Sequence, residues 1–181
     1  MISQKIHTAI REVPDFPKPG INFKDITTLL LDPILSNEIV DAFIERLKGK
    51  QIDAIVGVES RGFLFGFLLA NKMGIPFVPI RKVGKLPGET LKFKYDLEYG
   101  SAEVEIHKSD IKKGWNVVVH DDLLATGGTA CAASELIQKL GANVSAFAFV
   151  LSLDYLKGNE RLEKYSKEII SLKKILDGFY N

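Results

Sequence analysis

A chain of 181 residues with 46% apolar content can bury one substantial core, so a single domain over 1–181 is the expectation. Its net charge of +1 supplies no global field for nucleic acid or a membrane surface. The single cysteine, Cys131, excludes an intrachain disulfide and a multi-cysteine zinc site.

The elements follow in order. Ile6 and Ile10 recur at helical spacing, with Ser3 as their cap, and no secretory apolar core precedes them. Asp32-Pro33 supplies an N-cap and a first-turn proline for a helix through Ile39, Phe43 and Leu47 towards Gly49. Ala54 to Val58 reads as a short buried strand, and 63–73 as a helix closed by Gly74. The longest apolar run, 62–70, is too short to span a bilayer, so a cytoplasmic protein without membrane partners is expected. Strands are predicted at 77–80, 117–120 and 144–151, with a helix over 130–140 before the last. Short apolar strands alternating with helices imply an α/β fold, a mostly parallel sheet covered on both faces.

Two regions depart from this rhythm. Leu91, Phe93, Tyr95 and Leu97 alternate with polar residues, as do Ala102, Val104 and Ile106, so 90–107 reads as an antiparallel ribbon. The stretch 83–89 before it is rich in glycine and suits a mobile cover. The C-terminal part, 155–181, reads as a helix and a final strand without identifiable chemistry.

The chemistry concentrates in 117–129, Val-Val-Val-His-Asp-Asp-Leu-Leu-Ala-Thr-Gly-Gly-Thr. There a β-branched run stops at two carboxylates, Asp121 and Asp122, and a glycine turn leads into a helix. Glycines let backbone N–H groups converge on a phosphate, and the helix adds its positive end. The carboxylates would repel that phosphate but can accept hydrogen bonds from vicinal sugar hydroxyls. The combination points to a phosphorylated sugar. A plain capped turn would account for Thr126 and Thr129 alone, and neither a Walker loop nor a dinucleotide fingerprint is present. The other blocks rich in charge, after Val58 and after Ile80, also fall at strand C-termini, the rim where open parallel sheets bind ligands.

This segment resembles the phosphoribosyl-diphosphate signature of the type I phosphoribosyltransferases. Phe16-Pro-Lys-Pro-Gly-Ile-Asn-Phe-Lys-Asp-Ile-Thr27, Gly57-Val-Glu-Ser-Arg-Gly-Phe63, Arg81-Lys-Val-Gly-Lys-Leu-Pro-Gly88 and Leu97-Glu-Tyr-Gly100 resemble blocks of the adenine phosphoribosyltransferases. The five blocks keep the family's order and extend from about Phe16 to Leu151. The resemblance implies a twisted sheet flanked by helices, with 82–107 as a flexible antiparallel hood. It implies phosphoribosyl transfer from phosphoribosyl diphosphate to adenine, yielding AMP and diphosphate in purine salvage. Mg²⁺ would arrive on the diphosphate, with no resident metal, and the chain would form a homodimer.

Residue roles follow from the same resemblance. Asp121 and Asp122 would hold the ribose and favour an oxocarbenium-like transition state, and Ala125, Thr126, Gly127, Gly128 and Thr129 would cradle the 5′-phosphate. Glu59, Ser60 and Arg61 would hold the diphosphate, in a turn that often contains a strained or cis peptide in this superfamily. Arg81, Lys82 and Lys85 would neutralise it. The backbone of Asn22 and Lys24 would read adenine, with Phe23 stacked on the ring. Glu98 would sit beside the purine, and Tyr99 would support bound substrate. Relatives often carry Val and Arg in place of Asn22 and Lys24, and an apolar residue in place of His120, whose closeness to Asp121 could make activity sensitive to pH. A non-catalytic sensor of phosphoribosyl diphosphate would carry an added DNA-binding module, for which this length leaves no room. An enzyme for another purine would offer other groups to the base's 2- and 6-positions.

Overall fold

A computed structural model describes residues 1–96 and 100–176. After helix α1 (Ile2–Ala9), strands β1 (Arg11–Val13) and β2 (Phe23–Asp25) form a small antiparallel ribbon. A 3₁₀ turn (Ile26–Leu31) leads to α2 (Pro33–Leu47), then β3 (Ala54–Val58), α3 (Gly62–Met73) and β4 (Phe77–Lys82). The antiparallel pair β5 (Thr90–Asp96) and β6 (Ser101–His107) precedes β7 (Asn116–Leu124), α4 (Gly128–Lys139) and β8 (Asn143–Leu153). The short helix α5 (Gly158–Leu162) and β9 (Ile169–Ile175) complete the described chain.

Local sequence accounts for the helix ends. Asp32 accepts hydrogen bonds from the N–H groups of Ile34 and Leu35 while Pro33 opens α2, and Gly74 closes α3 in the left-handed conformation. Ser3 caps nothing: it lies inside α1, whose cap position is Met1 without a side-chain bond.

Seven strands order as β5-β6-β4-β3-β7-β8-β9. The five from β4 to β9 are parallel, and β6 adds antiparallel to β4, so the ribbon extends the main sheet. From β3 the chain passes to β4 on one side and later returns to β7 on the other. That reversal opens a crevice at the C-terminal ends of β3 and β7. Period-two alternation divides the core between the faces. Val56, Val119 and Phe147 pack beneath α4, while Ile55, Val118 and Ala148 pack against Phe43 of α2 and Phe65 of α3. Each fully buried phenylalanine contributes roughly 2 kcal/mol or more through the water it sheds.

Strand β7 runs further than its apolar run suggests. It passes through both aspartates to Leu124, because β8 keeps pairing with it, Asp121 opposite Phe149 and Leu123 opposite Leu151. The facing pattern changes sense around Asp122: Val119 and Leu124 join the α4-side cluster, whereas Val118 and Leu123 join the other. Strict alternation would send neighbouring carboxylates to opposite faces. Both nonetheless line one pocket at the end of the strand. Helix α4 correspondingly begins at Gly128, two residues before the expected start.

Candidate active site

A pocket of about 300 Å³ opens at the β3/β7 crevice, lined by Glu59, Ser60, Arg61, Lys82, Asp121 and Asp122. These side chains come from the ends of three neighbouring parallel strands, so the fold brings together residues more than sixty positions apart. The Glu59–Ser60 peptide is cis, matching the expectation for this turn. Just after it, Gly62 permits α3 to start against β7: a Cβ there would stand 2.9 Å from the carbonyl oxygen of His120. That close approach delivers Arg61 to Asp122, with Nε 2.7 Å from Oδ2. The N–H does not point along that line. The nearly buried oxygen therefore has a charge contact but no hydrogen bond among the described residues.

Asp121 accepts a bond from the backbone N–H of Asp122 at 2.8 Å. Burial, and then the charge of Asp122, raise the pKa of Asp121 well above the usual carboxylate range. A carboxyl under such pressure gains from a partner that donates hydrogen bonds, as a sugar diol does.

Glu59 organises its surroundings. It receives Arg81 through Nε (3.3 Å) and Nη2 (3.0 Å), and the backbone N–H of Lys82 at 2.8 Å. Burial works against its charge, yet these donors outweigh burial and hold its pKa below the ordinary value. Arg81, expected at the diphosphate, is turned to Glu59, and its Nη1 reaches the carbonyl of Lys85 at 3.2 Å. It does not line the pocket, because a nearby carboxylate and carbonyl already use its fork; Lys82 does line it. Lys85 acts on Glu59 through charge.

The glycine turn after β7, the expected phosphate cradle, leads directly into α4. Gly127 adopts φ +80, and α4 begins without a side-chain cap, which leaves its first-turn N–H groups to an anion. Sequence reading missed this turn's supports. Arg161 of α5 donates from Nη1 to the carbonyl of Thr126 at 3.0 Å, and the Tyr95 hydroxyl lies 3.3 Å from that of Thr129. Gly158 packs so closely that a Cβ would stand 2.2 Å from the carbonyl of Ala125. No local pattern marks Arg161, which lies over thirty residues from the turn it braces.

At the pocket's other side, the Phe23 ring lies 5.4 Å from the guanidinium carbon of Arg61 and 5.2 Å from the Phe16 ring, edge-on. Asn22, just before β2, and Lys24 within it flank Phe23. Both reach Glu12, Asn22 through Nδ2 at 3.0 Å and Lys24 through its ammonium, and these bonds lower the Glu12 pKa, Lys24 first. Glu98 and Tyr99 lie outside the described residues.

His120 turns away from the acidic pair. It is fully buried, edge-on to Phe43 at 5.4 Å, and burial pushes its pKa down to about 4, against a small opposing pull from the backbone of Ala148. Neighbours in a strand face apart, so adjacency to Asp121 in sequence does not become contact.

Comparison with known proteins agrees with this geometry. A family model for the phosphoribosyl transferase domain matches residues 25–180. An adenine phosphoribosyltransferase of Koribacter versatilis is 53% identical over 156 residues, 86% of each chain. One from Clostridium botulinum is 55% identical over 156 residues, 86% of this chain and 91% of its own. The chain belongs to the adenine phosphoribosyltransferase family. Solved structures of the family superpose closely. The crystal structure of the Thermoanaerobacter pseudethanolicus enzyme has a TM-score of 0.92 at 47% identity, covering 97% of this chain and 100% of its own. The Saccharomyces cerevisiae enzyme, complexed with adenine and an imino-altritol bisphosphate, has a TM-score of 0.88 at 44% identity, covering 94% and 98%. Members of this family are glycosyltransferases, and the chain is one of them.

Proposed function

We propose that this chain transfers the phosphoribosyl group of phosphoribosyl diphosphate to N9 of adenine, forming AMP and diphosphate in purine salvage. The observation that carries the reading is one pocket uniting an acidic pair, a diphosphate turn and Lys82, beside Phe23 and next to a glycine cradle. Asp121 and Asp122 accept the ribose hydroxyls and favour positive charge on the ring as the C1′–O bond breaks. The turn 59–62 and Lys82 take the departing diphosphate, while Arg81 and Lys85 act around its edge. The 125–129 turn holds the 5′-phosphate. Phe23 stacks on adenine, and backbone groups at Asn22 and Lys24 read N6 and N1. Their side chains are engaged with Glu12, which supports a backbone role. Glu98 serves the purine as N9 attacks, with Tyr99 supporting bound substrate.

The pocket lining carries three carboxylates against two cations, too little positive charge for a diphosphate by itself. Mg²⁺ bound to the substrate supplies the remainder. Phe67 and Leu68 of α3, 56% and 43% exposed, fit a surface covered by a second copy in a homodimer. A cytoplasmic setting accords with the described residues, which contain no helix long and apolar enough to cross a membrane.

The deciding experiment measures diphosphate release from phosphoribosyl diphosphate and Mg²⁺ with adenine, hypoxanthine, guanine or xanthine. Release with adenine alone, together with AMP, is expected. Release with another base would move specificity away from 22–24, and tight donor binding without turnover would favour a sensor.

A further inference from the structure

We propose that Glu105 is a positioning residue that fixes the lysine-bearing turn 82–88 over the diphosphate end of the pocket. The inference rests on the phosphoribosyl-diphosphate reading of that pocket. Glu105 belongs to β6 and is only 2% exposed, yet it does not line the pocket. Its Oε1 accepts from the backbone N–H groups of Lys85 (2.9 Å) and Leu86 (3.0 Å), and its Oε2 from the Thr90 hydroxyl (2.9 Å).

A buried carboxylate is costly unless its lone pairs are filled. Here Oε1 takes two adjacent N–H groups of the turn and Oε2 the hydroxyl of Thr90 at the start of β5, so the charge holds the turn against the ribbon. The backbone of Lys85 is held on both sides: Glu105 takes its N–H, and Arg81 donates to its carbonyl. Arg81 in turn is fixed by Glu59, which also holds the N–H of Lys82. Two carboxylates on different elements thus bracket the segment between Lys82 and Leu86. One belongs to the diphosphate turn and the other to the antiparallel ribbon. Burial opposes the charge of Glu105, but the N–H of Leu86, the Thr90 hydroxyl and the N–H of Lys85 outweigh it and keep its pKa below normal. The ionised form is therefore the working form at neutral pH.

The test uses the full chain with Glu105→Ala, Glu105→Gln and Glu105→Asp. Losing charge-assisted bonds to the turn should raise the KM for phosphoribosyl diphosphate about tenfold or more in Glu105→Ala, with the KM for adenine within about twofold. Glutamine keeps an acceptor for both N–H groups and a donor for Thr90, so it should recover the donor KM to within about threefold. Aspartate keeps the charge but draws it back from the turn; it should raise the donor KM selectively, and it serves if the alanine variant does not fold. Tryptic cleavage after Lys82 and Lys85, followed by mass spectrometry, should be faster in Glu105→Ala, and inorganic diphosphate with Mg²⁺ should protect the wild type alone. Parallel changes in both KM values, or unchanged donor KM and cleavage, would overturn the proposal. A wild type that turns over no base but shows the cleavage and protection pattern would sink the adenine reaction and leave the Glu105 role standing.

Discussion

Replacing His120 by leucine would remove a titrating group from the core while nearly conserving its volume. The imidazole is wholly buried against Phe43, and neither ring nitrogen has a hydrogen-bond partner among the described residues. Its folded pKa is about 4, against about 6.5 for a free histidine. The sign follows from proton binding. Between those values the unfolded chain holds a proton that the folded chain refuses, so acid favours unfolding. The contribution is fully present above pH 6.5 and is lost as pH falls towards 4. Between pH 8 and pH 5, linkage through these two values withdraws about 2 kcal/mol of stability. Urea unfolding of wild type and His120→Leu at both pH values isolates this effect, because acid effects on other groups cancel in the difference. At pH 8 the variant should lie within about 1.5 kcal/mol of wild type, as volume-conserving core exchanges do. At pH 5 it should have lost about 2 kcal/mol less than wild type. Equal losses in the two proteins would refute the buried, neutral histidine. The pH profile of turnover should not move, since His120 faces away from Asp121.

Three other substitutions probe separate parts of the molecule. Asp122→Asn removes the charge opposite Arg61 and should raise the donor KM by about tenfold, with adenine affinity little changed, in steady-state assays. Gly158→Ala places a methyl 2.2 Å from the carbonyl of Ala125, so the 125–129 turn must shift; if that turn holds the 5′-phosphate as proposed, the donor KM should rise by at least about tenfold while circular dichroism stays native. Asp32→Ala deletes the cap of α2 and should cost about 1 kcal/mol in chemical unfolding without altering turnover.

The parts legible in the sequence share one property: their causes are local. Asp32-Pro33 and Gly74 mark helix ends through bonds and dihedrals within a few residues, and Ala54–Val58 declares itself by five consecutive small or apolar residues. The pocket was legible because a parallel sheet carries all its strand C-termini to one rim, so three charged blocks needed no contact information to be placed together. What stayed hidden depends on long-range partners. The alternation of Ala102, Val104 and Ile106 puts Glu105 on the face away from the core, where a glutamate is ordinarily solvated; it is buried because the 85–90 turn folds onto that face. The resemblance implies a diphosphate role for Arg81, and its pairing with Glu59 could not be read from the sequence because it depends on β3 and β4 lying side by side. The continuation of β7 through two aspartates is dictated by β8, not by strand propensity.

The distribution of carboxylates around the pocket bears on how an acidic rim can accept a polyanion. Glu12, Glu59 and Glu105 each accept hydrogen bonds, from Asn22 and Lys24, from the end of β4, and from the segment between β4 and β5 together with Thr90, and each has a lowered pKa. Asp121 behaves in the opposite way, raised by burial and by Asp122. The three glutamates are thus held in their ionised form and hold backbone and cations in place, whereas burial and the neighbouring charge of Asp122 disfavour the charged form of Asp121. On the proposed reading, a ribose diol would supply hydrogen bonds that ease this carboxyl pair. On the same reading, Glu59 and Glu105 fix the backbone at the diphosphate end, and the aspartates face the ribose end. The Asp122→Asn and Glu105→Ala effects on donor KM should accordingly be close to additive in free energy, because one acts through the ring and the other through the diphosphate. Strong coupling in the double variant would mean that the two ends of the pocket are held by one network.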